Sequence, residues 1–244
     1  MQVYKELRII TNQERRREAE LTSIVSVSAE WTMAHHRQAA DKLTQGLKTP
    51  FILDAGTGMY LNAIILDIRI APRVPEELRH RATAMSTRAT NPRHTAREIE
   101  LRLAGTPRRS SIWSGDLRYG LEFLYLRPAR EKLDAAIAER SAKISRRGVE
   151  EAAALLEKYP QGIPNHSVRE SIGVRELTEY VKGRLTFEEA ERDIRVRTRR
   201  LARRQMRWSD KLAANLKDRA EISVSNTASD AEHTLYKHLN RLQA

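Results

Sequence analysis

Apolar and polar positions alternate over short distances in the first third of the chain and recur at helical spacing in the last third. Val3 to Ile10 reads as a short strand interrupted by Lys5, Glu6 and Arg8. Glu14 to Leu21 is charged and reads as a helix or a solvated loop, and Ile24-Val25-Ser26-Val27 alternates as a strand does. From Trp31 to Leu47 the apolar residues Met33, Ala34, Ala40, Leu43 and Leu47 follow a helical period, with stops near Gly46 and Pro50. Phe51-Ile52-Leu53 is a compact buried-strand candidate that runs into Gly56-Thr57-Gly58 and a helix over Tyr60 to Ile68. This strand-loop-helix unit predicts a parallel α/β sheet.

Between Ala71 and Ser114 prolines (Pro72, Pro75, Pro92, Pro107) and arginines accumulate while large apolar residues thin out, which predicts a small, helical, basic insertion. Leu121 to Leu126 reads as the last core strand. Pro128 suits a first helical position, and Arg130 to Arg147 reads as a helix that Gly148 stops. Helices over Glu150–Tyr159 and Ser167–Lys182 follow, and Thr186-Phe187-Glu188-Glu189 is a capping box opening a long third one. After Ala220 the pattern is polar, with a weak amphipathic ending at Leu235, Leu239 and Leu242. The expected organisation is a partial α/β core over 1–70, a basic insertion over 71–114, a return to core strand and helix over 115–147, a helical lobe over 148–219 and a polar tail over 220–244.

Composition narrows the chemistry. The 244 residues carry 44 Lys plus Arg against 32 Asp plus Glu, a formal charge of +12, and no cysteine. A disulfide framework, a thiolate zinc site and a cysteine nucleophile are thereby excluded. No uncharged apolar run approaches the ~18–20 residues of a membrane span, and the first residues have neither signal-peptide nor transit-peptide character. The expectation is a soluble, cytoplasmic protein. Its charge predicts polyanionic partners, nucleic acid before an anionic membrane surface.

The densest chemical feature lies between Arg192 and Arg207. Arg192, Arg195, Arg197, Arg199, Arg200, Arg203, Arg204 and Arg207 stand there against the single acid Asp193. On a helix, Arg192, Arg195, Arg199 and Arg203 make one stripe and Arg197, Arg200 and Arg204 a second, while Ile194, Thr198, Leu201, Gln205 and Trp208 line the packed side. Guanidinium groups so crowded repel unless anions lie along them, and Arg suits bidentate phosphate contacts. Asp54-Ala55-Gly56-Thr57-Gly58-Met59-Tyr60 is the second feature, because glycines between strand and helix let backbone N–H groups approach an anion. It is not a Walker A loop, since no Gly-Lys-Ser/Thr occurs. The histidines, including adjacent His35 and His36, show no metal-ligand spacing, and no nucleophile elbow appears.

Three segments in order resemble one family, the tRNA dimethylallyltransferases. Gly148-Val149-Glu150-Glu151 with Leu155-Leu156, then Ser171-Ile172-Gly173-Val174-Arg175-Glu176, Tyr180, Gly183 and Glu188-Glu189-Ala190 resemble its helical lobe. Thr198-Arg199-Arg200-Leu201-Ala202-Arg203-Arg204-Gln205-Met206-Arg207-Trp208 is similar to its signature T-R-R-Y-A-K-R-Q-x-T-W. Pro50 to Ala63 is similar to P-I-L-V-G-G-T-G-L-Y-L-x-A, and Met1-Gln2-Val3-Tyr4 to the second half of D-S-M-Q-V-Y. Departures occur at Asp54-Ala55, where Val-Gly is usual, at Val174 in place of Tyr, and at Asn91-Pro92-Arg93-His94-Thr95-Ala96-Arg97, which follows D-P-Q-R-x-x-R loosely.

The resemblance implies a P-loop-NTPase-like parallel sheet with a C-terminal helical lobe. It implies transfer of a dimethylallyl group from dimethylallyl diphosphate to N6 of the adenine next to the anticodon, with Mg²⁺. Gly56, Thr57, Gly58 and Tyr60 would line the substrate channel. Gln2, Arg93, Arg97, Arg175, Arg199, Arg200, Arg203 and Arg204 would meet the tRNA anticodon arm. The chain starts just after the point where the motif's Asp-Ser would stand. The expectation is therefore that the first strand, the phosphate loop, the general-base Asp and the metal ligands are missing, and that the lone chain is inactive. The alternatives are a non-catalytic tRNA-binding protein and a basic helical module for an anionic membrane or another protein.

Overall fold

The structure, a computed structural model, describes residues 2–13, 19–106 and 111–243, leaving aside the side chains of residues 93, 242 and 243. The readings made above for Met1, for residues 14–18, for Pro107 and for the Leu242 side chain lie outside the described residues. The chain forms two compact units, residues 59–121 and the remainder (1–58 with 122–244). It is an α/β protein with many helices and a small parallel sheet.

The larger unit begins with a segment that does not form the expected strand. Tyr4 makes a single parallel bridge to Val25, and Lys5–Leu7 winds into a 3₁₀ turn. The reason is legible in the spacing: the buried residues Val3, Tyr4, Leu7 and Ile10 recur every third position rather than every second. Ile24–Val27 contributes only the same bridge, with the Val27 N–H and the Ser26 hydroxyl donating to the Glu6 carboxylate at 3.1 and 2.9 Å. Helix α1 (Met33–Thr44) is opened by Thr32, whose hydroxyl accepts from the His35 N–H. Phe51-Ile52-Leu53 forms no strand. Pro50 withholds a donor, and Phe51 and Ile52 are 37% and 58% exposed instead of buried.

Strand β1 (Glu122–Leu126) falls where the pattern puts it. Its partner is β2 (Glu221–Ser225), in parallel register from Glu122↔Glu221 to Leu126↔Ser225. The segment expected as a polar tail thus carries the second strand and a helix, Ala228–Gln243. Glu221-Ile222-Ser223-Val224-Ser225 does alternate polar and apolar, but with only two apolar positions the signal is short and reads as polar tail. Between the strands run α5 (Arg130–Arg147), stopped at Gly148 as expected, and α6 (Val149–Lys158). The single helix expected over Ser167–Lys182 is two, α7 (His166–Arg169) and α8 (Val174–Val181). Gly173 separates them with φ +92°, a backbone state that interrupts a helix. The Thr186 capping box opens α9 (Phe187–Leu216), the longest element.

One apolar core joins the start of the chain to the helical lobe. Val3, Tyr4, Leu7 and Ile10 pack with Ala152, Leu155, Val174, Leu177 and Ile194. Glu151, at the start of α6, accepts the N–H groups of Ile9 and Ile10 at 2.8 and 2.9 Å, and Asn165 donates to the Tyr4 hydroxyl at 3.0 Å.

In the smaller unit, α2 (Gly58–Ile65, which starts at the boundary) buries Asn62, Ala63, Ile64 and Ile65. The Asn62 amide donates to the Ile112 carbonyl at 2.9 Å, and Leu66 and Leu117 form an antiparallel bridge. Helices α3 (Glu76–Ser86) and α4 (Pro92–Leu103) pack together, and Asn91 caps α4 with Pro92 at its first position. The helix after residue 228 is α10 (Ala228–Gln243), resting on β1 and β2.

Candidate functional site

Seven of the eight α9 arginines between Arg192 and Arg207 divide into two groups that the sequence does not distinguish, and Arg195 is half-buried. Arg197 pairs with Glu176, whose side chain is only 4% exposed, and donates from Nη2 to the Glu170 carbonyl at 2.6 Å. Nε of Arg199 lies 3.2 Å from Asp134 of α5, an ion pair whose angle is too poor for a hydrogen bond. Arg192 pairs with its neighbour Asp193 at 3.5 Å. Arg200, Arg203, Arg204 and Arg207 are exposed and have no carboxylate partner among the described residues. These four follow the i, i+3, i+4, i+7 pattern, which puts them within a ~100° arc of the helix. The free cationic face therefore coincides with neither expected stripe: it takes Arg203 from the first, Arg200 and Arg204 from the second, and adds Arg207.

Opposite that arc the helix is packed, with one exception. Ile194 is buried, whereas Leu201 is 36% exposed. Gln205 and Trp208 hold the Gly56-Thr57-Gly58 turn. The Gln205 amide donates to the Gly56 carbonyl at 2.5 Å. A Cβ on Gly58 would fall inside the Trp208 indole, so only glycine fits there. The turn itself is exposed from Asp54 to Thr57 and leads into α2, on which Tyr60 is half-buried. Two motifs far apart in sequence thus touch through residues that the charge pattern did not single out. Their one signal was that Gln205 and Trp208 stand three residues apart on the packed side.

The remaining expected site residues are scattered. Gln2 donates to the Thr11 and Asn12 carbonyls at 3.1 and 3.2 Å. Arg175, at the start of α8, is exposed, with Glu170 at 3.6 Å. In the smaller unit, Arg93 lies on α4, and Arg97 pairs with Glu100 at 2.7 Å and donates to the Pro72 carbonyl at 2.8 Å. Among the described residues, the carboxylates and imidazole close enough to share a cation are those of Glu122, Glu221 and His238. The Arg241 guanidinium already lies on both carboxylates, and a guanidinium there is incompatible with a divalent ion. This cluster does not fit the Mg²⁺ that the resemblance implies. Burial works against ionisation of Glu122, but hydrogen bonds from His238 and Arg241 hold its carboxyl below the usual range. Nothing in the described residues is long and apolar enough to form a membrane-crossing helix.

Fold and site together define an α/β protein whose longest helix carries a free guanidinium face and clasps a glycine turn. Residues 2–212 match the family model described as IPP transferase, and the chain belongs to that family. It is 51% identical over 232 residues to a tRNA dimethylallyltransferase of Rubrobacter xylanophilus, covering 94% of this chain and 80% of the relative. A tRNA dimethylallyltransferase of Rickettsia felis is 27% identical, over 93% of this chain and 83% of its own. Among solved structures, the fold is similar to the tRNA isopentenylpyrophosphate transferase of Bacillus halodurans (TM-score 0.66, 22% identity, 99% of this chain and 86% of that one). It is also similar to the tRNA isopentenylpyrophosphate transferase of Staphylococcus epidermidis (TM-score 0.65, 19% identity, 99% and 88%).

Proposed function

We propose that this chain serves the transfer of a dimethylallyl group from dimethylallyl diphosphate to N6 of the adenine next to the anticodon of tRNA. In this reading α9 is the tRNA grip and the Gly56–Gly58 turn a wall of the reaction channel, within a P-loop-NTPase-like architecture. The observation that carries it is the unneutralised arc of Arg200, Arg203, Arg204 and Arg207. Like charges three and four residues apart on a helix repel by ~0.2–0.5 kcal/mol per pair. A polyanion laid along the arc turns that cost into attraction, through paired contacts of the kind phosphates accept. Arg175, which lies 3.6 Å from Glu170, and Arg93 and Arg97 of α4 are assigned to the anticodon arm as well. The adenine must leave its stack to be reached. Gly56, Thr57 and Gly58, with their backbone amides at the start of α2, and Tyr60 beyond them are suited to meet the flipped base or the diphosphate. Mg²⁺ would neutralise diphosphate charge when bound.

The test is a salt titration of tRNA binding. Log affinity should fall with log salt by ~0.7–0.9 per phosphate contacted, and Arg200→Gln with Arg203→Gln and Arg204→Gln should flatten the slope by two or three contacts. An unchanged slope, or equal affinity for anionic liposomes, overturns the assignment. Mass spectrometry of tRNA incubated with the chain, dimethylallyl diphosphate and Mg²⁺ separates a transferase from a non-catalytic tRNA binder.

A further inference from the structure

We infer that Gln205 and Trp208 are positioning residues that tie the shape of the Gly56–Gly58 turn to the cationic helix, so that polyanion grip and channel wall respond together. The inference rests on the proposed tRNA reading for its second half only; the tie itself is a matter of geometry. Asp54, Ala55, Gly56 and Thr57 are exposed and contribute little packing of their own. Two contacts from one face of α9 converge on this short turn. The Gln205 amide holds the Gly56 carbonyl at 2.5 Å, and a Cβ on Gly56 would stand 3.0 Å from that same Nε2. The Trp208 ring occupies the volume that a side chain at residue 58 would need. Gln205 and Trp208 are one turn apart, and each is flanked by a member of the free arc: Arg204 precedes Gln205 and Arg207 precedes Trp208. A helix is stiff about its axis. Any rotation that presents the arc to phosphates also moves the amide and the indole against the turn.

Trp208 supplies its own reporter, because the only other tryptophans are Trp31 and Trp113. In a W31F/W113F background, acrylamide quenching reads the cover on Trp208 directly. In the free chain, Gln205→Leu removes the donor to Gly56 and should raise the quenching constant at least twofold. Gly58→Ala, which drives a Cβ into the indole, should do the same from the opposite side. Gln205→Leu should keep the parent's salt slope for tRNA, because the arginines that contact phosphate are untouched, and Gly58→Ala should melt earlier than the parent, because its Cβ overpacks the indole. Adding tRNA at low salt should lower the quenching constant when Gln205 is present and leave it unchanged in Gln205→Leu. If both variants quench like the parent with and without tRNA, the positioning role is overturned. A chain that ignores tRNA altogether overturns the functional reading, while the free-chain comparison still decides whether the turn is held by α9.

Discussion

Glu122 and Glu221 stand directly opposite each other at the start of the parallel pair β1–β2, and a single guanidinium, that of Arg241, lies on both. Like charges at paired positions destabilise a sheet. Here α10 supplies the neutralising group, and His238 on the same helix meets Glu122 from one turn earlier. The helix is thus clamped to the strands by charge as well as by its half-buried Leu235 and Leu239.

Arg241→Gln should loosen α10 and β2 selectively. Amide exchange over residues 221–243 should quicken while α6, α8 and α9 keep their protection. The sign of the pH effect follows from the pair. Glu122, whose carboxyl His238 and Arg241 hold below the usual range, is charged at neutral pH, where the deficit is greatest. As pH falls and Glu122 is protonated, the repulsion is removed, so variant and parent should converge. A deficit that grows on acidification would refute the pairing.

Ile10 lies against two glycines at once. A Cβ on Gly148 would come within 2.8 Å of Ile10 Cγ1, and one on Gly173 within 2.6 Å of Ile10 Cγ2. At Gly173 the backbone is also left-handed, at φ +92°. Gly173→Ala should therefore cost ~1–3 kcal/mol for the strained backbone, plus an overpacking contribution of similar size. Ile10→Ala leaves a cavity in the same place and should cost ~2–4 kcal/mol alone. In the double variant the overpacking contribution disappears, so the two losses should fall short of additive when measured by urea denaturation.

Glu6 gives an acid-sensitive latch on the same segment. It accepts from Ser26 at 2.9 Å, the Val27 N–H at 3.1 Å and Lys158 at 2.9 Å. Burial opposes ionisation, yet the Lys158 and Ser26 bonds prevail and its pKa is lowered from 4.5. A carboxyl with a depressed folded-state pKa contributes stability that is present above the unfolded value and lost as pH falls through the folded one. The parent should lose this contribution as pH drops below about 4.5, whereas Glu6→Gln should lack it at neutral pH and show a flatter acid limb. Parallel acid limbs would exclude the latch.

How much of this was legible beforehand depends on where the information resides. The ends of α5 and α9 were readable because Gly148 and the Thr186–Glu189 box act on their own neighbours. The crowd of arginines was equally plain. Which of them were free was not, because Glu176 and Asp134 reach Arg197 and Arg199 from other helices. Val3–Ile10 and Phe51–Leu53 looked like strands on composition. A strand is settled by its partner, and the pairing that exists joins residues 122–126 to 221–225, nearly a hundred positions apart. The hold of Gln205 on Gly56 is of the same long-range kind.

Two arginines on one helix should therefore behave as opposites. Arg197→Gln removes the partner of a buried carboxylate and the donor to the Glu170 carbonyl. Glu176 also accepts the Gly173 N–H at 2.8 Å, so the junction between α7 and α8 depends on it. Stranding such a charge costs on the order of 3 kcal/mol, and the thermal midpoint should fall by several degrees. The salt dependence of tRNA binding by the folded fraction should not change, because Arg197 is committed inward. Arg203→Gln touches no partner among the described residues, so stability should stay within ~0.5 kcal/mol of the parent. Its effect should appear in the salt slope, reduced by about one phosphate contact. If instead Arg197→Gln flattened the slope and Arg203→Gln lowered the melting point, the division of α9 into an anchored and a gripping set of guanidiniums would be wrong.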